Sequence, residues 1–137
     1  MSLYERVGGD VYFFGLVECL YDGVEEDPLL RPIYPQDLEQ GKANLAEFLI
    51  QYWGGPQNYS VRRGHPRLRM RHLPFAIGPR EREAWLHHMG EAVRESPASP
   101  SDSGELLAYF ESASAMLVNR AEEPASGSQP SDAGGNP

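Results

Sequence analysis

His72 closes the run Gly64-His65-Pro66-Arg67-Leu68-Arg69-Met70-Arg71-His72, so an imidazole stands at the end of a short basic segment. A neutral imidazole can coordinate a metal through one ring nitrogen while the other donates to a partner that fixes tautomer and basicity. A backbone carbonyl one turn earlier is a suitable partner. Leu68 lies four residues before His72, on the same face of a helix. The neighbourhood is cationic: Arg62, Arg63, Arg67, Arg69 and Arg71 are five of the twelve Lys and Arg residues. Taken alone, such a histidine also reads as a helix cap, and such a charge run as a solvated face. Taken together, with Tyr59 alongside, the run suits a flat, anionic ligand that carries a metal.

The elements that must position these residues follow from glycine and proline punctuation. Leu3, Tyr4 and Val7 predict a short first helix that Gly8-Gly9 terminates. Asp10 is placed to cap the second helix. Val11, Phe14, Val17, Tyr21 and Val24 recur at helical spacing, and Phe13, Leu16 and Leu20 widen that face. Pro28 and Pro32 break the pattern, which makes residues 27–34 a tight corner. A third helix is expected from about Pro35 to Trp53, with Leu38, Gly41, Leu45, Phe48, Leu49 and Tyr52 along one stripe. Gly54-Gly55-Pro56 stops it. Residues 57–66 have no sustained period and read as a loop, and Pro66 can start a short helix reaching His72. Gly78-Pro79 opens a fourth long helix with Arg82, Trp85, Leu86, Met89 and Val93 inward. Residues 96–104 are rich in Ser, Pro and Asp and read as a flexible connection. The last helix carries Leu106, Leu107, Phe110, Ala113, Ser114, Leu117 and Val118.

The fold class is therefore all-α, with one domain over residues 1–121. Residues 122–137 lack large apolar side chains and are expected to be a disordered tail. The chain has 137 residues and a formal net charge of −8, which argues against general nucleic-acid binding. No segment approaches the roughly 20 apolar residues of a membrane span. Cys19 is the single cysteine, so no internal disulfide forms. With no apolar leader at the N-terminus, the expectation is a cytoplasmic protein. Cys19 itself reads as a small buried or interface residue. His87-His88 has no carboxylate or cysteine at metal-ligand spacing, which argues against zinc there.

A ligand that joins a metal to anionic groups and a flat apolar body is haem, which an imidazole nitrogen ligates well. Its propionates want Arg, His, Tyr or Lys at the rim, and Tyr59, Arg62, Arg63, His65, Arg67, Arg69 and Arg71 are close in sequence. There is no Cys-x-x-Cys-His, so any haem is held non-covalently, as haem b.

The chain resembles a truncated haemoglobin of the second group, the two-over-two globins of bacteria, over about residues 3–120. The resemblance rests on Val7-Gly8-Gly9, Leu20-Tyr21, Ile33-Tyr34-Pro35, Gln51-Tyr52-Trp53-Gly54-Gly55-Pro56, Tyr59-Ser60, the run from Arg63 to His72, Pro74-Phe75 and Ala84-Trp85-Leu86. It implies a globin-like, two-over-two helical sandwich. It implies His72 as the proximal iron ligand, Tyr21 and Tyr34 as distal hydroxyls, and Trp85 with its indole N–H facing the bound ligand. Leu45 and Gly41 join them on the distal side. Gly41 falls where ordinary globins carry a histidine and where this group commonly has alanine. Phe48, Tyr59, His65, Arg69, Met70, Phe75 and Ile77 are the implied haem contacts. On the residues alone, Tyr21 and Trp85 also read as core aromatics that satisfy each other.

Three donors near bound O₂ would stabilise its superoxide character, since a hydrogen bond to a charged group contributes about 1.5–3 kcal/mol. The implied function is reversible binding of O₂, CO and NO with slow release, of the oxygen-transport type. The alternative is a haem redox enzyme, peroxidase-like or detoxifying nitric oxide or O₂. That reading requires a separate reductase, because no flavin or nicotinamide domain fits. A third reading is a helical interaction protein whose pocket holds no haem. A homodimer is compatible with all three, and the sequence makes no assignment between carrier and enzyme.

Overall fold

The structure is a computed structural model that describes residues 1–72 and 74–120. The expectation of a disordered tail falls on residues outside that range. The helices are α1 (Leu3–Val7), α2 (Asp10–Glu25), α3 (Glu39–Tyr52), α4 (Asn58–Arg63), α5 (Leu68–His72), α6 (Pro79–Glu95) and α7 (Pro100–Leu117). A single 3-10 turn spans Arg31–Ile33, and no strand occurs among the described residues. Helix α2 packs on α3 and on α6, and α6 packs on α7, which joins the four long helices in the order α3, α2, α6, α7. The class is all-α, as the punctuation and periodicity predict.

Helix α2 is central because two neighbours cover it. Its buried residues are Tyr12, Phe13, Leu16, Val17, Leu20, Tyr21 and Val24. Phe13, Leu20 and Val24 are completely inaccessible. The predicted stripe is rotated at its start: Val11 is 84% exposed and Phe14 is also at the surface. Apolar residues on most of the circumference permit more than one stripe, and contact with both α3 and α6 selects between them. Asp10 does not cap α2. Gly9 holds the cap position at φ 74°, in a region open to glycine, and the Asp10 carboxylate instead accepts from the Tyr4 hydroxyl at 2.8 Å.

Other boundaries shift for local reasons. Helix α3 starts at Glu39 rather than Pro35, because the Arg31 guanidinium occupies the carbonyls of Pro35 and Gln36, each at 2.9 Å. Tyr52 leaves the stripe and stands half exposed. Residues 57–66 are not all loop. Helix α4 forms there, anchored by the Ser60 N–H donating to Gln51 Oε1 at 2.9 Å and the Gln51 amide donating to Ser60 Oγ at 2.7 Å. Six residues are too few to show a period. Helix α5 begins at Leu68, not Pro66, because Arg67 takes φ 46° and interrupts the turn. The connection before α7 is four residues, not nine. Ser99 caps α7 by accepting from the Asp102 N–H at 3.1 Å, and Pro100 takes its first position.

The Gly54-Gly55 pair does more than end α3. Tyr4 N–H donates to the Trp53 carbonyl at 3.1 Å, docking α1 against the turn. A Cβ at Gly55 would stand 2.7 Å from both Ile50 Cγ2 and Tyr4 Cε1. Gly55→Ala should therefore destabilise the fold by about 1–3 kcal/mol, the usual cost of overpacking. Denaturant unfolding checks this, and an unchanged midpoint would show that α1 is not closely docked.

Candidate functional site

A cavity of about 550 Å³ lies among α2 to α7 and the corner before α3. Its lining is largely apolar: Leu45, Phe48, Phe75, Ile77, Phe110 and Leu117 are typical. Of the thirteen positions implied by the resemblance, ten line it: Tyr21, Tyr34, Gly41, Leu45, Phe48, Tyr59, His72, Phe75, Ile77 and Trp85. The three that the structure does not bring to it, His65, Arg69 and Met70, all belong to the basic run. Met70 points outward and is 60% exposed. Arg69 reaches across to α7, where its guanidinium donates to the Met116 carbonyl at 2.6 Å. His65 is exposed, and its Nδ1 accepts from the Arg67 N–H at 3.2 Å.

His72 enters the cavity from α5. Its Nδ1 donates to the Leu68 carbonyl at 2.7 Å, the acceptor one turn earlier that the spacing predicts. That bond places the ring proton on Nδ1 and leaves Nε2 with its lone pair, which no other described residue engages. The histidine's own carbonyl accepts from Asn119 Nδ2 at 3.1 Å, and Asn119 also brackets Ile77 through both backbone and side chain. The segment after α7 thus holds both ends of the loop that follows His72.

Donors gather on the part of the wall built by α2, the corner and α6. The Tyr21 and Tyr34 rings meet edge to face with centroids 5.7 Å apart. Burial pushes the Tyr21 phenol up to about 12, and the nearby Lys42 ammonium opposes this weakly. Burial pushes the Tyr34 phenol higher still, Tyr21 adds to it, and the nearby Trp85 indole works the other way. Tyr34 therefore keeps its own proton to give. The Tyr21 hydroxyl has no hydrogen-bond partner among the described residues. The arrangement presents two protonated phenols to whatever the cavity holds. It is not the mutual satisfaction of Tyr21 and Trp85 that the residues alone allow.

The basic run divides its work. Arg62 pairs with Glu47 at 2.6 Å. Arg71 lines the cavity but is committed to backbone, donating to the carbonyls of Pro66 at 2.7 Å and Arg63 at 3.0 Å. Arg63 lines the cavity too, lies over the Tyr59 ring, and buries an Nε without any partner. A buried, unpaired guanidinium nitrogen is costly unless an anion meets it. Arg63 is thus a cavity residue that the resemblance does not single out. Its sequence signal was membership of the run, which could not separate it from four other arginines. The α7 wall, Tyr109, Phe110 and Leu117, was legible only as a helix stripe.

The remaining candidates lie elsewhere. His88 faces α2 and holds Asp27 at 2.7 Å, which keeps that carboxyl below its ordinary range. No group of three metal-ligating side chains occurs among the described residues. Cys19 lines a second, shallower groove with Tyr12 and Glu95, and burial first, then Glu95, pushes its thiol up. That is the opposite of what a nucleophile needs.

A family model of bacterial-like globins matches residues 2–119. A group 2 truncated haemoglobin of Bacillus subtilis is 37% identical over 119 residues, covering 87% of this chain and 89% of that protein. Among solved structures, the haemoglobin of the thermophilic phototroph Chloroflexus aurantiacus superposes with a TM-score of 0.86 at 49% identity, covering 88% of this chain and 99% of that one. The truncated oxygen-avid haemoglobin of Bacillus subtilis superposes with a TM-score of 0.82 at 36% identity, covering 87% and 100%. The chain belongs to the bacterial-like globins, as a truncated haemoglobin of the second group. The family is one of haem-binding globins, and the cavity fits the group: an imidazole with a free Nε2, apolar walls, and a buried arginine nitrogen awaiting an anion.

The phenol environments set an alkaline signature. Both pKa values are raised above the ordinary 10.0, so the folded state holds protons that the unfolded chain releases. Stability should be flat below about 10 and fall as the pH rises through 10 towards 12. A phenolate titration followed at 295 nm should show these two tyrosines still protonated when exposed ones have ionised. Full ionisation of all seven tyrosines by about pH 11 would contradict their burial.

Proposed function

We propose that this chain binds haem b through His72 and uses it to hold O₂ and other diatomic ligands with slow release. The observation that carries the reading is the His72 Nδ1 bond to the Leu68 carbonyl, at 2.7 Å in a cavity that also contains two un-ionised phenols. That bond orients the ring and raises the basicity of Nε2 towards a metal. When bound, haem supplies an iron centre that takes up a diatomic ligand. The protein's own residues do the rest. Arg63 meets a propionate, and Phe48, Phe75 and Ile77 exclude water. The hydroxyls of Tyr21 and Tyr34 donate to a ligand that gains negative charge, and the Trp85 indole stands on the same wall. Cys19 lies in a different groove, so attachment is non-covalent. The oxygen avidity of the Bacillus subtilis haemoglobin accords with this wall of donors. A single cysteine suits a reducing compartment, and we assign the chain to the cytoplasm on that ground.

The same two phenols favour a second reading. They would polarise a bound peroxide and assist its cleavage, with electrons from a separate reductase. Steady peroxide-dependent oxidation of a dye supports the enzyme, and a long-lived oxygenated spectrum supports the carrier.

Absorption spectra of the haem-loaded protein, ferric, reduced, and reduced with CO, test the proposal. The expected result is a five-coordinate, histidine-ligated ferrous form that becomes six-coordinate on CO binding. His72→Ala should abolish that signature, and full haem retention with unaltered spectra would refute the assignment. Tyr21→Phe should speed O₂ dissociation by about 10- to 100-fold, the loss of one hydrogen bond to a charged group. An unchanged off-rate would move that role to Tyr34.

A further inference from the structure

Gly41 is the third residue of α3, and its backbone is not in the left-handed region that would require glycine. Helix propensity disfavours it there relative to alanine. The reason for glycine is steric. A Cβ at this position would stand 2.8 Å from the Tyr21 hydroxyl oxygen, but 3.7 Å from Cζ and 3.8 Å from Cε2 of the same ring. The ring would therefore be in ordinary contact, and only the oxygen too close. Tyr21 is buried, and the Tyr34 ring meets it edge-on. The hydroxyl of the free distal donor thus occupies a notch in the α3 backbone that exists only because residue 41 has no side chain.

We propose that Gly41 is a positioning residue for Tyr21. It fixes where the phenol hydroxyl stands, and so how that hydroxyl meets a ligand in the cavity. Any side chain at 41 drives the oxygen out of the notch. Helix α3 blocks one side and Tyr34 another, so the open direction is the cavity itself. Gly41 and Tyr21 then act as one unit, and the glycine tunes ligand release without touching the ligand. This rests on the haem reading for its consequence but not for its geometry.

A double-mutant cycle of Gly41→Ala with Tyr21→Phe tests it in two readouts. In the Tyr21→Phe background nothing remains for the new Cβ to strike. Gly41→Ala should then raise the denaturant midpoint through helix propensity. With Tyr21 intact the same change should lower it or gain nothing. In the haem-loaded protein, Gly41→Ala should alter the O₂ off-rate by at least about threefold with Tyr21 present, the low end for coupled contacts. It should leave the off-rate nearly unchanged in the Tyr21→Phe background. Equal shifts in the two backgrounds, in either readout, overturn the proposal. If the protein takes up no haem, the haem reading fails, while the stability cycle still decides whether Gly41 positions Tyr21.

Discussion

A helix of five residues cannot hold an imidazole in place by its own hydrogen bonds, and α5 is such a helix. The site depends on what clamps it. Arg71 ties its last turn to the carbonyls of Arg63 and Pro66, Arg69 ties its outer face to α7 at Met116, and Asn119 ties the His72 carbonyl to the chain beyond α7. Inside that frame the Leu68 carbonyl orients the ring. The strained φ of 46° at Arg67 is absorbed at the start of the same helix. Two stretches far apart in sequence, residues 63–72 and 116–119, thus converge to present one nitrogen. Much of a cation run that looks like a binding surface is scaffolding, and Arg63, with an unmet buried nitrogen at the cavity, is free to meet an anion.

The phenol wall follows from a different constraint. Helix α2 is covered on two sides, so Tyr21 is buried by α3 while the corner after Pro32 returns Tyr34 edge-on against it. Burial keeps both phenols protonated, and a protonated phenol is a donor. Trp85 brings its indole from α6 to the same cavity wall, and Tyr34 keeps its proton for the cavity. The His88–Asp27 pair ties α6 to the turn that follows α2. Packing and chemistry here are one arrangement: the aromatics that bury the core also carry the polar tips of the site.

Much of this was readable before any coordinates. The glycine pairs, Pro79 and the apolar stripes are local signals, and they placed six of the seven helices to within a few residues. The His72–Leu68 pairing followed from a four-residue spacing alone. What failed failed by context. Asp10 lost its capping role because Gly9 could adopt a backbone that Asp10 need not. The α2 stripe could not be phased at Val11 and Phe14, since two partner helices choose the buried arc. Helix α4 is too short to show a period. Ser99-Pro100 reads as a breaker until one sees that a helix starts there.

The sequence by itself determined an all-α chain, the cavity histidine with its orienting carbonyl, and the set of aromatic donors, because each of these is a matter of residue type and short spacing. Only the tertiary structure decided which cavity arginine keeps a buried nitrogen unpaired, that Tyr21 and Tyr34 meet edge to face, and that Gly41 is vacant on behalf of a hydroxyl twenty residues away. Those are contacts between elements, and their energies depend on burial and approach distances that no local pattern encodes.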